Sequence, residues 1–87
     1  MTTMFVRQTV SDYKVFRKVY DEHAEFQKAN GVTAQAVYQA ADNPNDVTVT
    51  HEFATLAAAQ AFVKSEVLKK AMQSLGGPPT IWFTNKV

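Results

Sequence analysis

The segment from Asn30 to Phe53 restricts this chain more than any other. Asn30-Gly31 is a helix stop, because glycine supplies the left-handed conformation that commonly follows a last turn. Thr33–Ala40 then reads as a strand and Asp42-Asn43-Pro44-Asn45-Asp46 as a tight turn. The run Val47-Thr48-Val49-Thr50-His51-Glu52-Phe53 alternates with period two. A β-hairpin therefore sits in the middle of the chain, with a long amphipathic segment on each side and strand-like runs at both ends. The order is β-α-β-β-α-β.

The flanking segments carry their own boundary signals. Met4–Val10 is expected as a strand, with Met4, Val6 and Val10 on one face and Phe5 and Arg7 on the other. Ser11 or Asp12 caps the following helix, which is expected over Asp12–Ala29. Val15, Phe16, Val19, Tyr20, His23 and Phe26 form its apolar stripe. Thr55 caps the second helical region, where Leu56, Ala59, Phe62, Val63, Val67, Ala71, Met72 and Leu75 continue one face. Ser65-Glu66 is a second helix-start signal within it. Gly76-Gly77-Pro78-Pro79 stops it, and Thr80–Lys86 is the last strand.

This order implies an α+β, ferredoxin-like βαββαβ fold: one four-stranded antiparallel sheet with the helices on one face. Right-handed crossovers put the first and third strands at the centre. The helix-free face is expected to carry Val37, Phe5 and one large residue of the last strand, more apolar surface than a monomer leaves wet. The chain has 87 residues and no cysteine, so neither a disulfide nor a thiolate metal site supports it. Small domains without such staples draw stability from oligomer interfaces. A homodimer through the sheet faces is thus expected, from a single domain over residues 1–87.

Composition excludes several functions. A net charge of +1 with scattered basic residues does not give the stripe expected of a nucleic-acid binder. Lys64, Lys69 and Lys70 are the densest basic group, on a solvated face. No apolar run approaches a membrane span, and Met1–Val10 does not read as a signal peptide, so a cytoplasmic protein is expected. Gly76-Gly77 precedes two prolines rather than a helix, so no phosphate loop is present. No metal site is expected, since His23 and His51 lack a third ligand at suitable spacing.

Residues along the whole chain carry a resemblance. They are Phe5-Val6-Arg7, Asp12-Tyr13, His23, Gly31, Val37-Tyr38, the Asp42–Asn45 turn, and Glu52-Phe53. Ala61-Phe62, Ser65, Leu68-Lys69, Met72, Gly76 and Pro79 continue it. In these the chain resembles the dimeric α+β barrel superfamily, and within it the short antibiotic-biosynthesis-monooxygenase-like proteins. The resemblance implies a homodimer with a central barrel and a ligand cleft between helices and sheet in each subunit. It implies a range of activities: cofactor-independent oxygenation of polycyclic aromatics or quinols, haem degradation, polyketide cyclisation, and isomerase-like or dehalogenating chemistry. Haem-degrading members have a tryptophan where Phe53 stands and a histidine where Met72 stands. They also carry an asparagine on the first strand, where this chain has Arg7 and Gln8. Their chemistry is therefore not expected, and neither is any cofactor.

His51 shares a strand face with Val47, Val49 and Phe53, and His23 lies on the first helix's apolar stripe. Both are directed at the implied cleft and are the candidate catalytic residues, able to take a proton near neutral pH. Tyr38, Phe53, Phe62, Met72 and Tyr20 are the candidate contacts for a small aromatic ligand. An ion pair between Arg7 and Glu52 is expected on the opposite sheet face. Two functions follow: a cofactor-independent monooxygenase or cyclase-like enzyme acting on an aromatic or polyketide-like compound, or a non-catalytic ligand-binding or accessory module.

Overall fold

The computed structural model describes residues 1–87. The elements, in chain order, are β1 (Thr2–Thr9), α1 (Tyr13–Glu22), α2 (Ala24–Ala29), β2 (Val32–Ala40), β3 (Asn43–Phe53), α3 (Leu56–Val63), α4 (Glu66–Leu75) and β4 (Thr80–Asn85). The sheet order is β2-β3-β1-β4, antiparallel throughout, with β1 and β3 central. This is the ferredoxin-like arrangement implied by the sequence.

Local chemistry accounts for the boundaries. The Asp12 carboxylate accepts from the Lys14 amide at 2.8 Å, and the Thr55 hydroxyl from the Ala58 amide at 3.2 Å, each satisfying an orphan donor of a first helical turn. Gly31 adopts φ +95°, a region other residues enter only with strain. Gly76 is required for a different reason: a Cβ there would lie 2.2 Å from the Thr9 carbonyl oxygen. That contact lets the chain after α4 bridge to Val10 and turn tightly into β4.

The first helical region is divided, not continuous. At His23 the imidazole Nδ1 lies 2.8 Å from the Val19 carbonyl oxygen, which also accepts from the His23 amide at 3.2 Å. The imidazole thus shares a carbonyl of the last turn of α1 with the backbone amide, at the residue where the helix divides. The second region divides between Val63 and Glu66, as Ser65-Glu66 indicated.

The hairpin is tighter than expected. Its turn is Ala41-Asp42, while Asn43-Pro44-Asn45-Asp46 already belong to β3. Asn45 also anchors the start of α1, its side-chain oxygen accepting from the Tyr13 amide at 3.1 Å.

Two expectations about the open face are corrected. Val32 pairs with Phe53, but Ala34 pairs with the next residue, Glu52, so Thr33 is a bulged extra residue. A bulge inverts the in-out phase of everything after it. Val37 therefore lies opposite Val49 on the helix side, packed against the core, and Tyr38 faces outward, 58 % exposed. The expected Arg7–Glu52 pair is also absent, because register sets Glu52 opposite Thr3 and Arg7 opposite Thr48. Arg7 instead donates to both Asp46 carboxylate oxygens, at 3.0 and 2.7 Å. Phe5 does lie on the open face, stacked on Trp82 with centroids 5.2 Å apart and planes within 5°.

The helix side of the sheet carries two hydrophobic clusters. One gathers Met4, Val6, Val32, Phe53, Ala59 and Phe62; the other gathers Val10, Phe16, Val47, Val49 and Leu75. Between them the packing is incomplete.

Candidate functional site

That gap is a partly open cavity between the helices and the central strands, with about 60 Å³ of room for the centres of water-sized molecules. Its floor is the inner face of β1 and β3: Val6 and Gln8, then Val47, Val49 and His51. One wall is the α1–α2 pair, which contributes Tyr20, His23 and Gln27 besides apolar residues. The other wall is α3 and α4, contributing Phe62, Leu68, Ala71, Met72 and Leu75. No Asp, Glu, Lys or Arg is among the lining residues.

His51 is held by strand alternation, four residues after Val47 on the same face. It is only 4 % exposed, and neither ring nitrogen has a hydrogen-bond partner. Phe62 and Tyr20 flank it, with ring centroids at 5.4 and 6.3 Å. Burial in this apolar setting penalises the cation and pushes the imidazole pKa down to about 4. At neutral pH His51 is therefore an uncharged ring with one donor and one acceptor unused.

His23 is set differently. Its Nδ1 faces only a carbonyl oxygen, so Nδ1 carries the hydrogen and donates. In the neutral ring Nε2 is then the free lone pair, and the backbone has selected the tautomer. Gln27, one helical turn after His23, is also buried, 4 % exposed, with Oε1 unpartnered.

The remaining polar groups are engaged. The Gln8 amide nitrogen donates to the carbonyls of Met72 and Gly77, both at 2.7 Å, and so fastens the end of α4 to the floor. The Tyr20 hydroxyl donates to the Gln35 side-chain oxygen at 2.9 Å, and burial raises its pKa. It serves as a wall with its proton retained.

Of the candidate residues, His51, His23, Tyr20, Phe62 and Met72 line one cavity. Tyr38 does not, because the Thr33 bulge turns it to the opposite face. Phe53 does not either: it is fully buried beside Phe62, at 5.5 Å between centroids, one ring removed from the cavity. Gln8 and Gln27 were not among the candidates. Their signals were present, since Gln8 continues the Met4–Val6–Val10 face and Gln27 follows His23 by one helical turn.

The architecture, with its histidine-bearing, uncharged cleft between helices and sheet, is that of a small ferredoxin-like α+β domain. The antibiotic biosynthesis monooxygenase family model matches residues 12–74, and the chain belongs to that family. Among solved structures it is similar to SnoaB, a cofactor-independent oxygenase from Streptomyces nogalater. That match has a TM-score of 0.83 and 15 % identity, over 99 % of this chain and 92 % of SnoaB. It is also similar to a Nitrosomonas europaea protein of unknown function, with a TM-score of 0.76 and 21 % identity over 95 % of this chain and 85 % of that one. At such identities the likeness is one of fold. No curated protein sequence matches the chain. No helix is long and apolar enough to cross a membrane.

Proposed function

We propose that this chain is a homodimeric small-molecule-binding protein that oxygenates a small aromatic or polyketide-like compound in the cavity without a metal or organic cofactor. The observation that carries the reading is His51, buried in an apolar cavity with both ring nitrogens unpartnered. An unsatisfied buried polar group costs roughly 1–3 kcal/mol. A bound molecule that pairs with the ring would offset that cost.

The chemistry asks little of the protein. A ring methylene made acidic by adjacent aromatic and carbonyl groups loses one proton to a base. The carbanion passes an electron to oxygen, and the radical pair couples to a hydroperoxide anion that takes a proton back. Loss of water, with the second methylene hydrogen, leaves a carbonyl. The balance is CH2 + O2 → C=O + H2O. The protein supplies proton handling and a dry pocket. His23, with its Nε2 lone pair fixed by the Val19 contact, suits the base. His51, neutral and amphoteric, suits the partner of the substrate oxygen that gains charge. The aromatic face left open by Phe5, Trp82 and Tyr38 suits pairing with a second subunit.

The low basicity of His51 favours the second reading, a binding or accessory module without catalysis. Oxygen uptake with an anthrone-type probe separates the two. For the enzyme, protein-dependent uptake is expected to fall about 100-fold or more in His23→Gln while probe binding persists. Binding without any protein-dependent uptake would establish the module instead, and failure of the wild type to bind would reject both.

A further inference from the structure

We infer that Gln35, which does not itself line the cavity, sets how large a molecule the cavity admits by tethering the Tyr20 wall. The inference rests on the reading that the cavity holds an aromatic compound, and it adds which wall moves to make room.

The cavity is small for such a guest. An apolar cavity of about 150 Å³ takes one benzene ring, and this one has about 60 Å³. A compound of fused rings therefore needs a wall to move. The two walls are not equally fixed. Gln8 fastens the end of α4 to the floor through the Met72 and Gly77 carbonyls. The Ser11 amide adds a bond to the Leu75 carbonyl at 2.9 Å, and the Gly77 amide one to the Thr9 carbonyl at 3.1 Å. The α1–α2 wall is held at its start, where the Tyr13 amide donates to Asn45. Beyond that point its hydrogen bond to the sheet is the one from the Tyr20 hydroxyl to the Gln35 side-chain oxygen, at 2.9 Å. The Thr33 bulge makes this bond possible, because it sets Gln35 opposite His51 in register and so on the helix side of the edge strand β2. Tyr20 is thereby kept beside His51, with ring centroids 6.3 Å apart, and against Phe16 at 5.8 Å. The bond itself lies at the surface, where water can take over both partners when the wall swings out. A single ring entering by the open mouth displaces the wall least. Larger guests have to break the tether, and their affinity is lowered by what that bond contributes.

Phenol, 2-naphthol and 9-phenanthrol form a size series that tests this. They are titrated by calorimetry and NMR into wild type, Tyr20→Phe, Gln35→Ala, the double variant and Gln35→Glu. Either of the first two variants is expected to bind 9-phenanthrol about 3- to 5-fold more tightly than wild type, while phenol changes by less than about 2-fold. The double variant should gain no more than either single one, since both remove the same bond. Gln35→Glu keeps the acceptor oxygen and should behave as wild type. Agreement between Tyr20→Phe and Gln35→Ala separates the tether from a direct ligand contact, because Tyr20 lines the cavity and Gln35 does not. Melting temperatures check that each variant folds. Binding with no gain, with equal gains for all three probes, or with additive gains in the double variant would overturn the tether while leaving the cavity's aromatic ligand in place. If no probe binds any of these proteins, the tether falls together with the reading beneath it.

Discussion

The two faces of this sheet handle polar groups in opposite ways. On the open face polarity is paired and wet: Arg7 grips Asp46 with two hydrogen bonds, and its side chain stays 60 % exposed. The aromatic rings there pair with each other, Phe5 on Trp82. On the helix face the rings are enclosed, and His51 and Gln27 are buried with nothing to bond. Folding alone gives no reason for that second arrangement, because unpaired buried groups destabilise. The contrast teaches that polar groups are satisfied locally outside, whereas the inner face keeps two buried side chains with unpaired atoms.

The sharpest way to break the comparison is to remove a ring from each face. Phe53→Ala deletes a fully buried side chain packed against Phe62 and is expected to cost about 3–5 kcal/mol in denaturant unfolding. Trp82→Ala, at a site 40 % exposed, should cost the isolated subunit well under half as much. Equal losses would mean that the open face is as much a core as the inner one.

Acid probes the inner face next. The folded pKa of His51 is about 4 against an ordinary 6.5, so the unfolded chain binds a proton that the folded chain refuses. Stability is therefore fully present above pH 6.5 and is lost as pH falls toward 4, by about 3 kcal/mol in all. His51→Leu should remove this segment of the pH dependence and keep whatever other groups contribute. If the two stability–pH profiles run parallel between pH 6.5 and 4, the buried neutral ring is wrong. At pH 7 the same substitution replaces an unpaired polar ring with an apolar side chain. It is expected to raise stability by about 1 kcal/mol while ligand binding falls.

Much of the architecture was legible because it rests on local rules. Asp12, Thr55 and Gly31 are boundary residues by their own chemistry, and period-two alternation put His51 on the helix side with Val47 and Val49. The errors came where one residue changes a phase or a partner. Thr33 looks like any strand threonine, yet as a bulge it turns Val37 inward and Tyr38 outward. Arg7 and Glu52 share a face and neighbouring strands, but antiparallel register separates them. The break at His23 is equally hidden, since no glycine or proline marks it. Gln8 and Gln27 were passed over because glutamine has the look of a solvent residue. Only their positions on faces otherwise apolar distinguish them, and that pattern becomes decisive once the cavity is seen.

The smallest effect on the subunit itself should carry the largest consequence for assembly. Trp82→Asp, on the edge strand β4, adds a charge to the open aromatic face beside Phe5 without touching the inner core. In a monomer this is a surface change, expected to shift stability by less than about 1 kcal/mol beyond the loss of the stacked ring. In a sheet-to-sheet dimer it buries an unpaired carboxylate, which should weaken association by at least about 100-fold. Sedimentation velocity across a concentration series reads this directly, and ligand titration alongside it asks whether the cavity needs the partner. Wild type that remains monomeric at every concentration would remove the dimer and return the Phe5–Trp82 stack to a purely local role. A Trp82→Asp protein that dimerises as wild type does would move the interface to another surface. The inner cavity is lined by helices and sheet of one subunit, so ligand affinity is expected to be the same in Trp82→Asp as in wild type.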